Sequence, residues 1–200
     1  SPSRNAVLTG LRPETLRIYD LGTNFRRRAP DVKTLPEWFK DRGHASHGIG
    51  KIFHVGHGNH EDPISWSVPH VQERSIEYLL PESAGGATRE EALFGNATGD
   101  PRSLAKGAAF ERADVPDEAY ADGRIAAVAI ERLREFKRTG TPFFLAVGFL
   151  KPHLPFCAPS RYWDLHDPAT LPLAAVRVTP QGAPPFAPQF GNELRNYQGI

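Results

Sequence analysis

The sequence predicts an α/β layer architecture, and two observations carry that prediction. Ile125, Val128, Ala129, Leu133 and Phe136 repeat at the spacing of one helix face across about Tyr120 to Lys137. Phe143 through Leu150 then forms an unbroken apolar run, short and aromatic enough for a strand buried on both faces. A helix feeding into such a strand is the unit from which helix-covered parallel sheets are built.

The other elements follow in chain order. Residues 4–9 come after a Pro and are expected to be helical, ending at Thr9-Gly10. Thr34 to Arg42 reads as a short amphipathic helix, with Thr34 as N-cap, Pro36 in the first turn, Leu35, Trp38 and Phe39 as its apolar face, and Gly43 as its stop. Ala45 to Ile49 reads as a short strand. From Gly56 to Arg112 the composition turns to Gly, Pro, Ser, Asn and charge, which predicts a long, mostly irregular excursion. Gly140 and Pro142 end the long helix, and the Pro-rich stretch from Pro155 to about Pro188 is expected to wrap the surface.

Two hundred residues suffice for one domain with a sizeable core. A formal net charge of +1 argues against nucleic acid or an anionic membrane as partner. No apolar run approaches the roughly 18 residues that cross a bilayer. The chain contains no Met and opens with neither a charged nor an apolar leader, so it reads as an internal piece of a longer protein. Any localisation signal would then lie outside it; the compartment is open, with a periplasmic or secreted parent expected. The single Cys157 rules out an internal disulfide.

Three groups of residues could carry chemistry. Lys151 and His153 follow the apolar run, and ligands of open α/β sheets bind beyond the carboxyl ends of strands. Gly48-Ile49-Gly50-Lys51-Ile52-Phe53-His54 combines glycines that allow close backbone approach, a Lys point charge for an oxyanion and an imidazole for proton transfer. His54, His57 and His60, with His44 and His47 upstream, invite a zinc reading. The residues between them are Gly- and Asn-rich loop residues with no Cys near, so a solvated His-rich loop is the better reading and no metal ligand is assigned. The third group is the opening stretch, Ser1-Pro2-Ser3-Arg4 through Thr9-Gly10.

That stretch resembles the sulfatase signature x-P-S-R-x-x-x-x-T-G, with Ser1 at x. Gly50-Lys51-Ile52-Phe53-His54 resembles the family's second signature in its G-K-x-F-H form, and Lys151-Pro152-His153-Leu154-Pro155-Phe156 follows in the family's order. Leu16 to Asp20, Ser65-Trp66-Ser67 and Phe143 to Gly148 look like the same branch, while His44 departs from the Tyr usual there.

The resemblance implies an alkaline-phosphatase-like sandwich, with a mixed, largely parallel sheet between helices. Residues 1–200 would form part of its amino-terminal catalytic domain, truncated at both ends. It implies hydrolysis of a sulfate ester of a small molecule or glycan, such as a 2-O-sulfated uronate. The catalytic group would be a formylglycine made from the residue preceding Ser1, with Ca²⁺ held by ligands outside this chain. Arg4, Lys51, His54 and His153 take the catalytic positions, Lys51 and His153 also binding substrate. Their polar tips are expected to line one concave pocket with Ser1 at its floor, while His57 and His60 lead away. The alternatives are a phosphate or phosphonate monoester hydrolase of the same superfamily and a non-catalytic binder of sulfated glycans.

Overall fold

The computed structural model describes residues 1–84, 88–95, 103–187 and 193–198, and two parallel strands stand at its centre. The first helix, α1 (Pro2–Thr9), has Pro at its start and ends where Gly10 turns left-handed at φ 70°. A single turn, α2 (Pro13–Leu16), follows. Helix α3 (Leu35–Lys40) is set by a capping box: the Thr34 hydroxyl accepts from the Glu37 N–H, and Glu37 reaches back to the Thr34 N–H. Its packing differs from the expected face. Pro36 is buried, whereas Leu35 and Trp38 are each 43% exposed. The Arg42 guanidinium covers the Trp38 ring at 3.5 Å, which shields Trp38 without core burial.

Strand β1 (Ala45–Gly50) leads into the long excursion. Among its described residues this segment is more ordered than its composition suggests. It holds a 3₁₀ turn at Pro63–Ser65, a turn α4 (Pro81–Ala84), a second capping-box helix α5 (Arg89–Phe94) and, at its end, strand β2 (Phe110–Ala113). Helix α6 (Ala121–Thr139) buries Ala121, Ile125, Ala129 and Phe136. Leu133, assigned to that face, is 47% exposed. Strands β3 (Phe143–Gly148) and β4 (Phe156–Pro159), then a turn α7 (Ser160–Trp163), complete the regular elements. The stretch from Leu165 to Phe186 lies exposed along the surface.

β1 pairs with β3 in parallel, Ala45 opposite Phe143 through Gly50 opposite Gly148, and β2 pairs in parallel with β4. Helices flank the central pair. On one side Ile49 and Leu145 pack on Ile125 and Ala129 of α6. On the other, Phe144 and Ala146 pack against the cluster of Leu8, Leu16, Ile18, Phe25, Ile52, Phe53 and Trp66, and Phe144 stacks on Phe39 of α3 at 4.9 Å. The expected burial of β3 on both faces is not met. Phe143 is 39% exposed, Val147 37% and Phe149 50%. The reason is local: β3 has one strand neighbour, β1, among the described residues, and its other edge has none.

The glycines flagged for approach to an anion pack instead against protein. A Cβ on Gly48 would meet the Trp66 ring at 2.7 Å; one on Gly50, where φ is +76°, would meet the Gly148 carbonyl at 2.2 Å. A Cβ on Gly148 would meet the Lys51 carbonyl at 2.1 Å. The two strand ends therefore close to backbone contact, sealed by Lys51 N–H donating to Gly148 O at 2.7 Å.

Candidate active site

Because β1 and β3 run in parallel, both carboxyl ends emerge at the same edge. Lys51 follows Gly50 there, and Lys151 and His153 follow Gly148. The turn after β3 is held from α6, where the Asp122 carboxylate accepts from the N–H groups of Leu150 (2.7 Å) and Lys151 (3.0 Å). Beneath β1, buried His70 bridges Glu61 at 2.6 Å and the Gly50 carbonyl at 2.8 Å. Neither Asp122 nor His70 carries a sequence motif. Each acts by orienting backbone, so no pattern of residue types points to it.

Arg4 comes to this edge from α1. Its Nη1 donates to the carbonyls of Lys51 (2.6 Å) and Ile52 (3.1 Å), leaving Nε and Nη2 without a partner among the described residues. Lys51 is half-buried, and its pKa is pushed down to about 8, first by desolvation and then by Arg4, with Glu193 opposing. Buried His54 is pushed down to about 3 by desolvation and by Lys51, the Ser1 amino group, His57 and Arg4. His153 donates its Nδ1–H to Leu154 O at 2.6 Å and turns Nε2 toward Glu193 at 3.5 Å. Lys151 turns away from the group, donating to Pro155 O at 2.6 Å.

One ring draws these residues together. Phe94, the last residue of α5, lies 4.8 Å from the Lys51 ammonium, 5.1 Å from the His57 ring, 5.2 Å from His153 and 6.4 Å from His54. His57 is thus part of the group. It does not lead away with the loop: its ring stacks on His54 at 5.3 Å and shares a hydrogen bond with it. His60 is exposed and apart. Phe94 had no signal of its own, although the Thr88-x-x-Glu91 box marks its helix. Glu193 is the one acid recorded against Lys51, His57 and His153 among the described residues. A partly desolvated Arg and Lys with so little counter-charge favour an anion.

A model of the sulfatase family matches residues 1–167, and the chain belongs to that family. It is 35% identical to iduronate 2-sulfatase of Homo sapiens and 34% identical to that of Mus musculus, over all of this chain and 35% of each relative. It is 30% identical to a sulfatase of Formosa agariphila, over 90% of this chain and 34% of the relative. The chain spans about a third of the length of the curated relatives it matches. Calcium and formylglycine are typical of the family. Among the described residues no three His, Cys, Asp or Glu side chains are placed to hold a metal. The groups around Phe94 are cations and imidazoles, not the oxygen ligands calcium takes.

Proposed function

We propose that the protein carrying this chain is a sulfuric ester hydrolase acting on a sulfated sugar such as a 2-O-sulfated uronate. In this reading residues 1–200 are part of an amino-terminal catalytic domain of the alkaline-phosphatase-like kind. The observation that carries it is the meeting of Lys51, His54 and His153 around Phe94, with Arg4 bound to the Lys51 carbonyl, at the carboxyl ends of two parallel strands. The family membership and the likeness to iduronate 2-sulfatases support the sulfate ester and the sugar.

The chain's own groups divide the work as follows. The formylglycine typical of the family would supply the nucleophile, from the position before Ser1. Arg4, anchored through Nη1, would offer Nε and Nη2 to the negative charge that develops beside Ser1. Lys51 would hold sulfate oxygens; the incoming anion would offset its desolvation and restore its charge. His54, kept neutral by burial and its cationic neighbours, would accept a proton as sulfate is expelled. His153, its Nδ1 fixed on Leu154 O, would direct Nε2 at the oxygen joining sulfate to the leaving alcohol.

The test uses the full-length protein and follows sulfate release from a 2-O-sulfated uronate disaccharide and from 4-methylumbelliferyl sulfate, with 4-methylumbelliferyl phosphate alongside. Turnover of either sulfate ester at least a hundredfold faster than the phosphate is expected. Preference for the phosphate would reassign the enzyme, and tight binding without turnover would make it a glycan-binding protein.

A further inference from the structure

His57 stands in a backbone conformation that most side chains avoid. Its φ is 55°, one of two positive values outside glycine among the described residues. Such a conformation is disfavoured for a residue with a Cβ and persists only where the surroundings enforce it. Here they do. Gly56 and Asn59 exchange backbone hydrogen bonds of 3.1 and 2.9 Å across the turn. The Asn59 amide ties that turn to the carbonyls of Leu21 (3.0 Å) and Thr23 (3.2 Å). A Cβ on Gly22 would meet the His57 carbonyl at 2.8 Å, so that neighbour too is fitted to the turn. The result of the strain is one contact: His57 Nδ1 lies 3.3 Å from His54 Nε2. The edge-on ring of Phe94 holds the outer side of His57 at 5.1 Å.

We propose that His57 is a positioning residue for His54, fixing the orientation and tautomer of that imidazole through the ring-to-ring hydrogen bond. This deepens the reading of His54 as the proton acceptor and rests on it. Two neutral rings share one proton between Nε2 and Nδ1: when His57 Nδ1 accepts, His54 carries its hydrogen on Nε2 and keeps the Nδ1 lone pair open, whereas a hydrogen on His57 Nδ1 would occupy the Nε2 lone pair and leave His54 none. If both rings were protonated the contact would set N–H against N–H. The charged side chains facing the pair among the described residues are Lys51, Arg4, His153 and, as the one acid, Glu193. The cations oppose double protonation, as desolvation also does, and Glu193 only partly offsets them.

The experiment compares wild type, His54→Ala, His57→Gly and His57→Asn in the full-length protein, on whichever of the two sulfate esters is turned over faster. Glycine removes the imidazole without straining φ 55°. Asparagine tolerates that φ and places an amide where Nδ1 stood. For His57→Gly we expect kcat to fall ten- to a hundredfold with KM within threefold. We also expect the acid limb of kcat/KM to move to higher pH, because His54 loses a neighbour that depresses its basicity. His57→Asn should recover most of kcat. If His57→Gly keeps kcat and its acid limb while His54→Ala is inactive, the positioning role is wrong and the reading of the site stands. If His54→Ala keeps full activity, or wild type turns over neither ester, the reading of the site falls and this inference with it.

Discussion

Lys51 is held in a place where its charge is costly. It is partly desolvated and next to a second cation, and a single carboxylate offsets both. Groups arranged for an absent ligand commonly trade stability for binding. Lys51→Met in the full-length protein should therefore leave the melting temperature unchanged or raise it by a few degrees, while kcat/KM falls by about 10²–10³-fold. A parallel fall in both would mark Lys51 as structural. His54 makes a second prediction. An unfolded imidazole titrates near pH 6.5, and folded His54 near 3. Between those values the unfolded chain takes up a proton that the folded chain refuses. Stability is thus lost as pH falls below 6.5, by about 2 kcal/mol at pH 5 for His54 alone. His47 and His57, both depressed mainly by burial, act in the same direction. The urea midpoint should drop between pH 7 and pH 5, and His54→Gln should flatten that drop; equal slopes in the two proteins would contradict the assignment.

At the scale of elements, the strand ends are the sensitive points. Gly148→Ala places a methyl against the Lys51 carbonyl, a contact between two backbones that no side-chain rotation relieves. We expect a loss of about 2–4 kcal/mol, read from denaturant unfolding. Thr34→Ala removes the cap of α3 and a buried 2.6 Å contact with Ser65, and should cost about 1–2 kcal/mol. A smaller effect than that of Ala6→Gly, at a half-buried position of α1, would show that the cap is dispensable. The Thr34 cap and the terminating glycines were legible in the sequence because they act within a few residues of themselves, whereas the Thr88–Glu91 box was lost in a stretch read as irregular. The face of α6 was legible in part: Ile125, Ala129 and Phe136 meet the sheet, but Leu133 stays half-exposed. The direction of His57 was not legible. It depends on left-handed turns at Gly56 and Gly58, and on carbonyls of the Leu21–Thr23 segment, about 36 residues away. Phe94 was hidden for a similar reason, since its helix is only six residues long and offers no period to read.

Across the whole molecule, apolar surface is left uncovered. Phe143 and Val147 on β3, Phe149 beyond it and Phe156 on β4 are each more than a third exposed, and β3 has an edge without a described strand partner. Such an edge recruits other chains. The isolated 200-residue chain should bind a hydrophobic dye and self-associate with rising concentration in sedimentation; a monodisperse monomer at about 100 μM would show that this surface is benign. The apolar run itself gave no warning, because hydrophobicity along a strand reports what the strand can bury and not whether a neighbour is there to bury it.

The parallel pairing of β1 with β3 joins segments roughly a hundred residues apart, and the cations at their shared edge come from those two segments and from α1. No short stretch of chain contains the proposed anion site, so it cannot survive local fraying. An oxyanion such as sulfate or vanadate would then slow deuterium uptake at the amides of Gly50 and Lys51, which hydrogen-bond to Val71 and Gly148. That protection should match the ligand's effect on global unfolding, because an opening that parts the two strands also takes apart the set of groups that would bind it.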